Sequence, residues 1–287
     1  MEIARSCVFC ESLLIVATPA VLMPFVAHRA LGYEPAEITE AWGLRDIRTG
    51  ACHVRCSTVT CIECGGLFLD LRFGVPEMMS LYQDYRGEEY CRLRSLYEPG
   101  YELRNRQLTE ERDLAWIEKE LTPLLPRCPR ILDWGGDDGR NTPLRETSAL
   151  CHVFDISGKN TVKNVSSISQ VEALKNEYDL VVLSHVLEHE PHPLNLLQHI
   201  SSVLQESTLM YIEIPFEGLM ARRDSEANPG PATAKRHWHE HINFFSKQAL
   251  GKALDRAGLV AIAMDVHTDN RGSDCLYAIC RRRKVKH

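Results

Sequence analysis

The stretch Ile131-Leu132-Asp133-Trp134-Gly135-Gly136-Asp137-Asp138-Gly139 constrains the fold more than any other in this chain. An apolar run ends in an acid and breaks at once into a glycine-rich turn. Glycine lets the backbone take positive φ and approach a ligand closely. Ligands of open α/β sheets bind outside the carboxyl ends of the strands. After Pro129 the pattern alternates. The sequence predicts a helix from about Thr142, a strand at His152 to Asp155, a weak third strand at Val162 to Val165 and a helix at Ile168 to Glu177. Tyr178 to Ser184 reads as a strand buried on both faces, as in a parallel sheet. A helix from Pro193 to Leu204 has proline in its first turn, and Leu209 to Ile214 is another strand. Ser246 caps a helix ending at Ala257, with Gly258 just beyond. Leu259 to Val266 and Cys275 to Arg282 close the set as an antiparallel pair. Strands alternating with helices predict a doubly wound, Rossmann-like α/β domain over residues 126–287.

The first 74 residues differ in kind. Cys7, Cys10, Cys52, Cys56, Cys61 and Cys64 fall within them, out of 11 cysteines in the chain. An odd total with two close pairs fits metal ligation in a reducing compartment, hence the cytoplasm, better than a disulfide framework. Cys7-Val-Phe-Cys10 and Cys61-Ile-Glu-Cys64 are C-x2-C knuckles, each able to offer two sulfurs to a tetrahedral zinc ion from one turn. Cys52, His53 and Cys56 compete for the same ligand count. Four sulfurs leave no open position, so such an ion organises a small β-rich module and does no chemistry. The apolar stretch Leu13 to Ala27 is interrupted by Pro19 and Pro24 and is shorter than the ~20 residues that span a bilayer. It reads as buried strands of that module. Residues 75–125 form a helical linker rich in Tyr, Arg and Glu, in which Leu108, Leu114, Ile117 and Leu121 make one apolar helix face.

The ligand class follows from charge. Asp155 ends the strand after the glycine turn and can accept both ribose hydroxyls of a nucleoside. Asp137 and Asp138 stand in the middle of the turn, where a dinucleotide's pyrophosphate would be repelled. A cationic sulfonium with an amino group tolerates them, which favours S-adenosylmethionine over NAD. The competing reading is an ordinary strand-to-helix turn. Further on, a polar stretch over residues 215–236 leads to His237-Trp238-His239-Glu240-His241. Imidazole beside a carboxylate suits general-base work. In an extended chain, His237, His239 and His241 share one face, as three metal ligands would. A purely structural, hydrogen-bonded role is the third reading.

Residues 130–283 resemble the class I S-adenosylmethionine-dependent methyltransferases in motif order throughout. The resemblance implies a seven-stranded sheet. Asp133 to Gly139 matches their first motif, with Asp137 where a middle glycine is commonest. It implies that Asp133, Gly135, Gly136, Asp137 and Gly139 hold the cofactor, together with the ribose-binding acid Asp155 and its neighbour Ile156. Ser184-His185-Val186-Leu187-Glu188-His189 is similar to the family's "HVLEH" stretch, which would put Ser184 and His185 at the methionine end. With the cysteine head, the chain resembles the zinc-bearing methyltransferases of bacterial sugar and natural-product pathways. Leu81 to Arg86 matches their linker, implying that Tyr82 and Tyr85 close over the cofactor. Glu240 and His241 match their "Y-x-E-H", with Trp238 in place of tyrosine.

These expectations converge on methyl transfer to a small polar acceptor, with His239, Glu240 and His241 as the catalytic cluster and Cys7, Cys10, Cys61 and Cys64 holding zinc. A net charge of −6 argues against a polynucleotide acceptor. A zinc-headed RNA base methyltransferase and a non-catalytic binding protein of the same fold are the rivals.

Overall fold

The computed structural model describes residues 1–47, 49–108, 110–225 and 235–284. Its larger sheet has seven strands in the order Ser166–Ser167, Leu150–Phe154, Arg130–Trp134, Leu180–Ser184, Leu209–Pro215, Asp274–Arg282, Leu259–Thr268. The first five run parallel, and Asp274–Arg282 is antiparallel to both its neighbours. The period of two along Leu180–Ser184 explains why it is apolar throughout. Val181 and Leu183 join a core with Leu194, Leu197 and Ile200 of the helix Pro193–Val203 and with Leu250 and Leu254 of Lys247–Arg256. Leu180 and Val182 join the opposite layer with Ile117 and Leu121 of Ala115–Leu121. The expected doubly wound, seven-stranded architecture is thus present.

Several local expectations differ. The glycine turn does not run into a helix at Thr142; only a 3-10 turn, Arg145–Thr147, follows. Pro143 disfavours helical backbone at the residue before it, and Leu144 takes a left-handed φ of 59°. The third strand is Ser166–Ser167, just past Val162 to Val165. Leu13 to Ala27 is one strand, Ile15–Leu22, running into a helix, Pro24–Leu31. Its outer residues are exposed, Leu13 at 77%. Leu114, Ile117 and Leu121 do not share a helix with Leu108, because the chain forms two, Tyr101–Leu108 and Ala115–Leu121. The stretch 215–236 carries a helix, Gly218–Ser225, and its residues 226–234 lie outside the described residues. No described helix is long and apolar enough to cross a membrane.

The second sheet, of five strands, joins residues 15–69 to residues 237–244. Its order is His237–Trp238, Ile15–Leu22, Arg55–Cys61, Leu67–Leu69, Asn243–Phe244. Both outer strands come from the histidine-rich segment. Trp238 is fully buried and donates its Nε1–H to Thr58 Oγ1 at 2.8 Å. Ser246 accepts the amide of Ala249 at the start of its helix and donates to the carbonyl of Cys64 at 2.5 Å. The knuckles need their glycines: a Cβ on Gly66 would lie 2.4 Å from the Phe9 ring.

Arg72 closes the joint. At 1% exposure its guanidinium donates to the carbonyls of Leu69, Glu190 and Pro191 and to Asn243 Oδ1. Asn243 in turn donates to the carbonyls of Leu187 and Glu190, both at 2.7 Å. Replacing Arg72 with methionine leaves these buried acceptors short of donors, at an expected cost of about 3–5 kcal/mol. Urea unfolding of Arg72→Met tests this; a loss below ~1 kcal/mol, the level of an ordinary surface change, would contradict the joint's role.

Candidate active site

The glycine turn is built around a buried acid. Asp133, at the end of Arg130–Trp134, is 3% exposed and accepts the Thr142 hydroxyl at 2.6 Å. Gly136 lies on its carboxyl group; a Cβ there would come within 2.5 Å of Asp133 Cγ. Gly135 and Gly139 take φ of 79° and 81°, and Cβ atoms on them would meet Val186 and Val165 at 2.6 and 2.7 Å. Asp137, standing where a glycine is commonest, also takes a left-handed φ, 55°. Asp and Asn tolerate that region better than other side chains. Its charge is met by Lys159 Nζ at 2.9 Å.

Asp155 follows the strand Leu150–Phe154 and faces the turn, accepting the amides of Asp137 at 2.9 Å and Ser157 at 2.7 Å. Ile156 beside it is 59% exposed, an open apolar surface at the same edge. A strand-end carboxylate, a close-approaching backbone and an exposed isoleucine fit a nucleoside with its ribose on Asp155.

Ser184 and His185 end the next strand. His185 has a left-handed φ of 56°. Its Nε2 lies 3.0 Å from Glu213 and its Nδ1 3.2 Å from Glu188. Burial opposes a charge on this ring, yet Cys275, Glu188 and Glu213 hold its pKa well above the usual imidazole value. Glu213 is fully buried and receives the guanidinium of Arg112 and the hydroxyl of Tyr211. Burial opposes its charge too, but His185, Arg112 and Tyr211 bring it down to about 2. Arg112 also donates to Ser184 Oγ at 3.3 Å, so the linker reaches across both strand ends.

The linker tyrosines span the space between turn and histidines. Tyr85 stacks edge-on against Tyr82 at 5.3 Å and faces Lys159, the partner of Asp137, at 5.5 Å. Tyr82 OH lies 2.7 Å from His189 Nδ1. The positions expected for a cofactor lid therefore connect the glycine turn to the histidine cluster.

The three histidines of that cluster separate. His237 is exposed, and its ring centroid is 5.7 Å from that of His239. His239 Nδ1 faces Glu98 at 3.3 Å, and His241 Nδ1 faces Glu217 at 3.5 Å. Glu240 is held by Arg94 Nη1 at 2.8 Å. Burial opposes its charge, but Arg94 keeps it at about 2, a carboxylate too acidic to serve as a base near neutrality. His189 meets His241 edge-on, with ring centroids 4.7 Å apart, and burial lowers its pKa to about 4.

At the amino-terminal end, the sulfurs of Cys7, Cys10, Cys61 and Cys64 lie within 4.8 Å of one another, with Cys7 to Cys64 at 3.6 Å and Cys10 to Cys61 at 3.7 Å. A tetrahedron with bonds of ~2.3 Å separates its sulfurs by about 3.8 Å, so the four thiols fit a zinc ion. Cys52 and Cys56 stand outside this group.

A family profile described as "Methyltransferase domain" matches residues 101–263, more than half of the chain. The chain belongs to the methyltransferase-domain family. Its activity is accordingly S-adenosylmethionine-dependent methyl transfer. No curated protein sequence matches it. Among solved structures, a 1,6-didemethyltoxoflavin N1-methyltransferase from Burkholderia thailandensis is 17% identical, with a TM-score of 0.52 over 78% of this chain and 98% of that one. That crystal holds 1,6-didemethyltoxoflavin and S-adenosylhomocysteine. An S-adenosylmethionine-dependent methyltransferase from Clostridium acetobutylicum is 11% identical, with a TM-score of 0.45 over 69% and 100% of the two chains.

Sequence reasoning about this methyltransferase missed Arg94, Arg112, Lys159, Glu213 and Glu217. One signal was available. Glu213 interrupts Leu-Met-Tyr-Ile-Glu-Ile, a run otherwise suited to burial, and a buried carboxylate requires partners.

Asp133 supplies a pH test. Burial lifts its carboxyl to about 7 from an ordinary 3.8, against the Thr142 hydroxyl. Between about pH 4 and 7 the unfolded chain releases a proton that the folded chain keeps, so stability falls across that window by up to about 4 kcal/mol. Asp133→Asn removes this slope. The thermal midpoint of the variant, relative to the natural protein, is expected to rise from pH 5 to pH 8; parallel curves would show that the acid ionises normally.

Proposed function

We propose that this methyltransferase methylates a small polar metabolite, a sugar or natural-product intermediate, in a cleft between the glycine turn, the linker tyrosines and the histidine cluster. The observation that carries the reading is the bridge Asp137–Lys159–Tyr85–Tyr82–His189, which links the turn to the cluster. Asp155 would bind the ribose, and the turn at Gly135, Gly136, Asp137 and Gly139 would receive the nucleoside against its backbone, with Asp133 bracing it from beneath. Ser184 and His185 would border the methionine end.

S-adenosylmethionine supplies an electrophilic methyl group on a cationic sulfur. An acceptor lone pair forms the new bond to the methyl carbon as the carbon–sulfur bond breaks and its electrons return to sulfur. The acceptor's proton has to leave, and imidazole is the matched base. Glu240, fixed as an anion by Arg94, orders the segment between His239 and His241. Those rings, backed by Glu98 and Glu217, are the proton acceptors. The four knuckle thiols would hold a structural zinc ion that stiffens the sheet carrying this segment.

Calorimetric titration with S-adenosylmethionine and S-adenosylhomocysteine tests the first half. Micromolar binding is expected, with at least a tenfold loss in Asp155→Ala; tight binding unaffected by that change would remove Asp155 from the site. Labelled-methyl screening of sugar and natural-product acceptors tests the second. Metal analysis should find zinc in the natural protein and its loss in Cys61→Ser, with a lower thermal midpoint. A metal-free natural protein of equal stability would exclude the structural zinc.

A further inference from the structure

Among the described residues, four buried or nearly buried carboxylates lie at the strand ends and around the histidine cluster, and three have fixed cationic partners. Glu213 has Arg112, while Glu240 and Glu98 share Arg94. Among the described residues, none brings a guanidinium or ammonium group within ion-pair distance of Glu188. It is 2% exposed, and neither carboxylate oxygen makes a hydrogen bond of good geometry. Its polar neighbours are imidazoles: His185 Nδ1 at 3.2 Å and His189 Nε2 at 3.8 Å. His185, held cationic, is shared with Glu213, so this buried carboxylate has only part of one counter-charge.

The surroundings of Glu188 are arranged as metal sites are. One ligand atom each from Glu188, His189 and His241 lies within 4.8 Å of the others. The other nitrogen of His189, Nδ1, lies 2.7 Å from Tyr82 OH and 3.0 Å from the Glu240 carbonyl, and the two together direct Nε2 towards Glu188. Orienting a ligand histidine through its second nitrogen is the usual outer-shell device of metal sites. The two ligand segments are locked together. The amides of Ile242 and Asn243 both donate to the Glu188 carbonyl, at 2.8 and 3.0 Å, and Asn243 Nδ2 holds the carbonyls of Leu187 and Glu190. His189 and His241 keep 17% and 34% exposure, so the group is open on one side.

We propose that Glu188, His189 and His241 bind a divalent first-row transition-metal ion, distinct from the knuckle zinc, that receives the acceptor. Two imidazoles and one carboxylate favour such an ion over magnesium and leave positions open for exogenous oxygens. The fitting acceptor has two neighbouring oxygens, as in a vicinal diol or a hydroxy-ketone. Its hydroxyl would be acidified by the ion, and His239, with Glu98 behind it, is the ring left to take the proton. The ion's role in methyl transfer rests on the reading above; its binding does not.

The test adds Mn2+ to protein carrying one equivalent of zinc, which the four thiolates take first, and follows the free-ion signal by electron paramagnetic resonance. Manganese competes poorly for thiolate sites, so the knuckles stay out of the titration. One saturable Mn2+ per chain is expected, weakened at least tenfold in Glu188→Gln and in His241→Ala, and unchanged in Cys52→Ala. Circular dichroism checks that each variant is folded. No saturable binding by the natural protein overturns the proposal and leaves His185 as the counter-charge of Glu188; equal binding by all four proteins overturns it as well. S-adenosylhomocysteine calorimetry on the same samples separates this failure from that of the methyl-transfer reading. Product binding without manganese removes only the ion, whereas manganese binding without product binding removes only the cofactor site.

Discussion

The guanidinium of Arg72 sits where the amino-terminal sheet, the loop after Leu180–Ser184 and the strand Asn243–Phe244 meet, and it donates to all three. Each acceptor is a backbone carbonyl or amide oxygen that would otherwise be buried without a partner. Three loosely related segments thus acquire one geometry. Asn243 completes the arrangement by donating to the carbonyls on either side of Glu188 and His189. The residues with the chemical groups therefore sit on backbone fixed by hydrogen bonds rather than on free loops. Fixed placement matters because reacting groups must be aligned before the event, not during it.

Electrostatics divides the site into two regions. Around the turn, charge is local and balanced: Lys159 answers Asp137, and Arg140 answers Asp138. Among the described residues at the strand ends and in the histidine cluster, acids outnumber fixed cations, and imidazoles make up part of the difference. A cationic ligand is favoured where acids are in excess. The sequence argument put the excluding acids in the turn itself, where Lys159 and Arg140 in fact balance them; the excess of acid lies at the strand ends instead.

Much of this was legible in the residues. Six of the seven strands came from apolar runs and turns, the exposed Ser166–Ser167 forming just past the run expected to be the third, and the two knuckles came from their spacing. Ser246 and Gly258 bound their helix as their types require. The failures have physical causes. Pro143 and a left-handed Leu144 replaced the helix expected after the turn. The histidines at alternating positions of an extended chain looked like one ligand set. His237 is instead exposed beside Trp238 in a sheet strand, while His239 and His241 face different glutamates. The partners of those groups, Glu98, Glu188 and Glu217, lie far away in sequence, and spacing carries no information about such pairs. Arg72 and Arg94 look like ordinary surface residues until packing buries them.

The five-stranded sheet has a consequence for how the chain comes together. Thr58 meets the Lys235 carbonyl and Trp238 across 177 and 180 positions of sequence, and Phe68 pairs with Asn243. Contacts of such separation form slowly, because a long loop must close before they contribute. During synthesis the amino-terminal sheet emerges early, with both of its outer edges unpaired. Those edges are covered only after nearly the whole chain has followed. Until then they are open to pairing with other chains. The segment that closes the sheet also carries His239, Glu240 and His241, so completing the sheet and assembling the histidine cluster are one folding event.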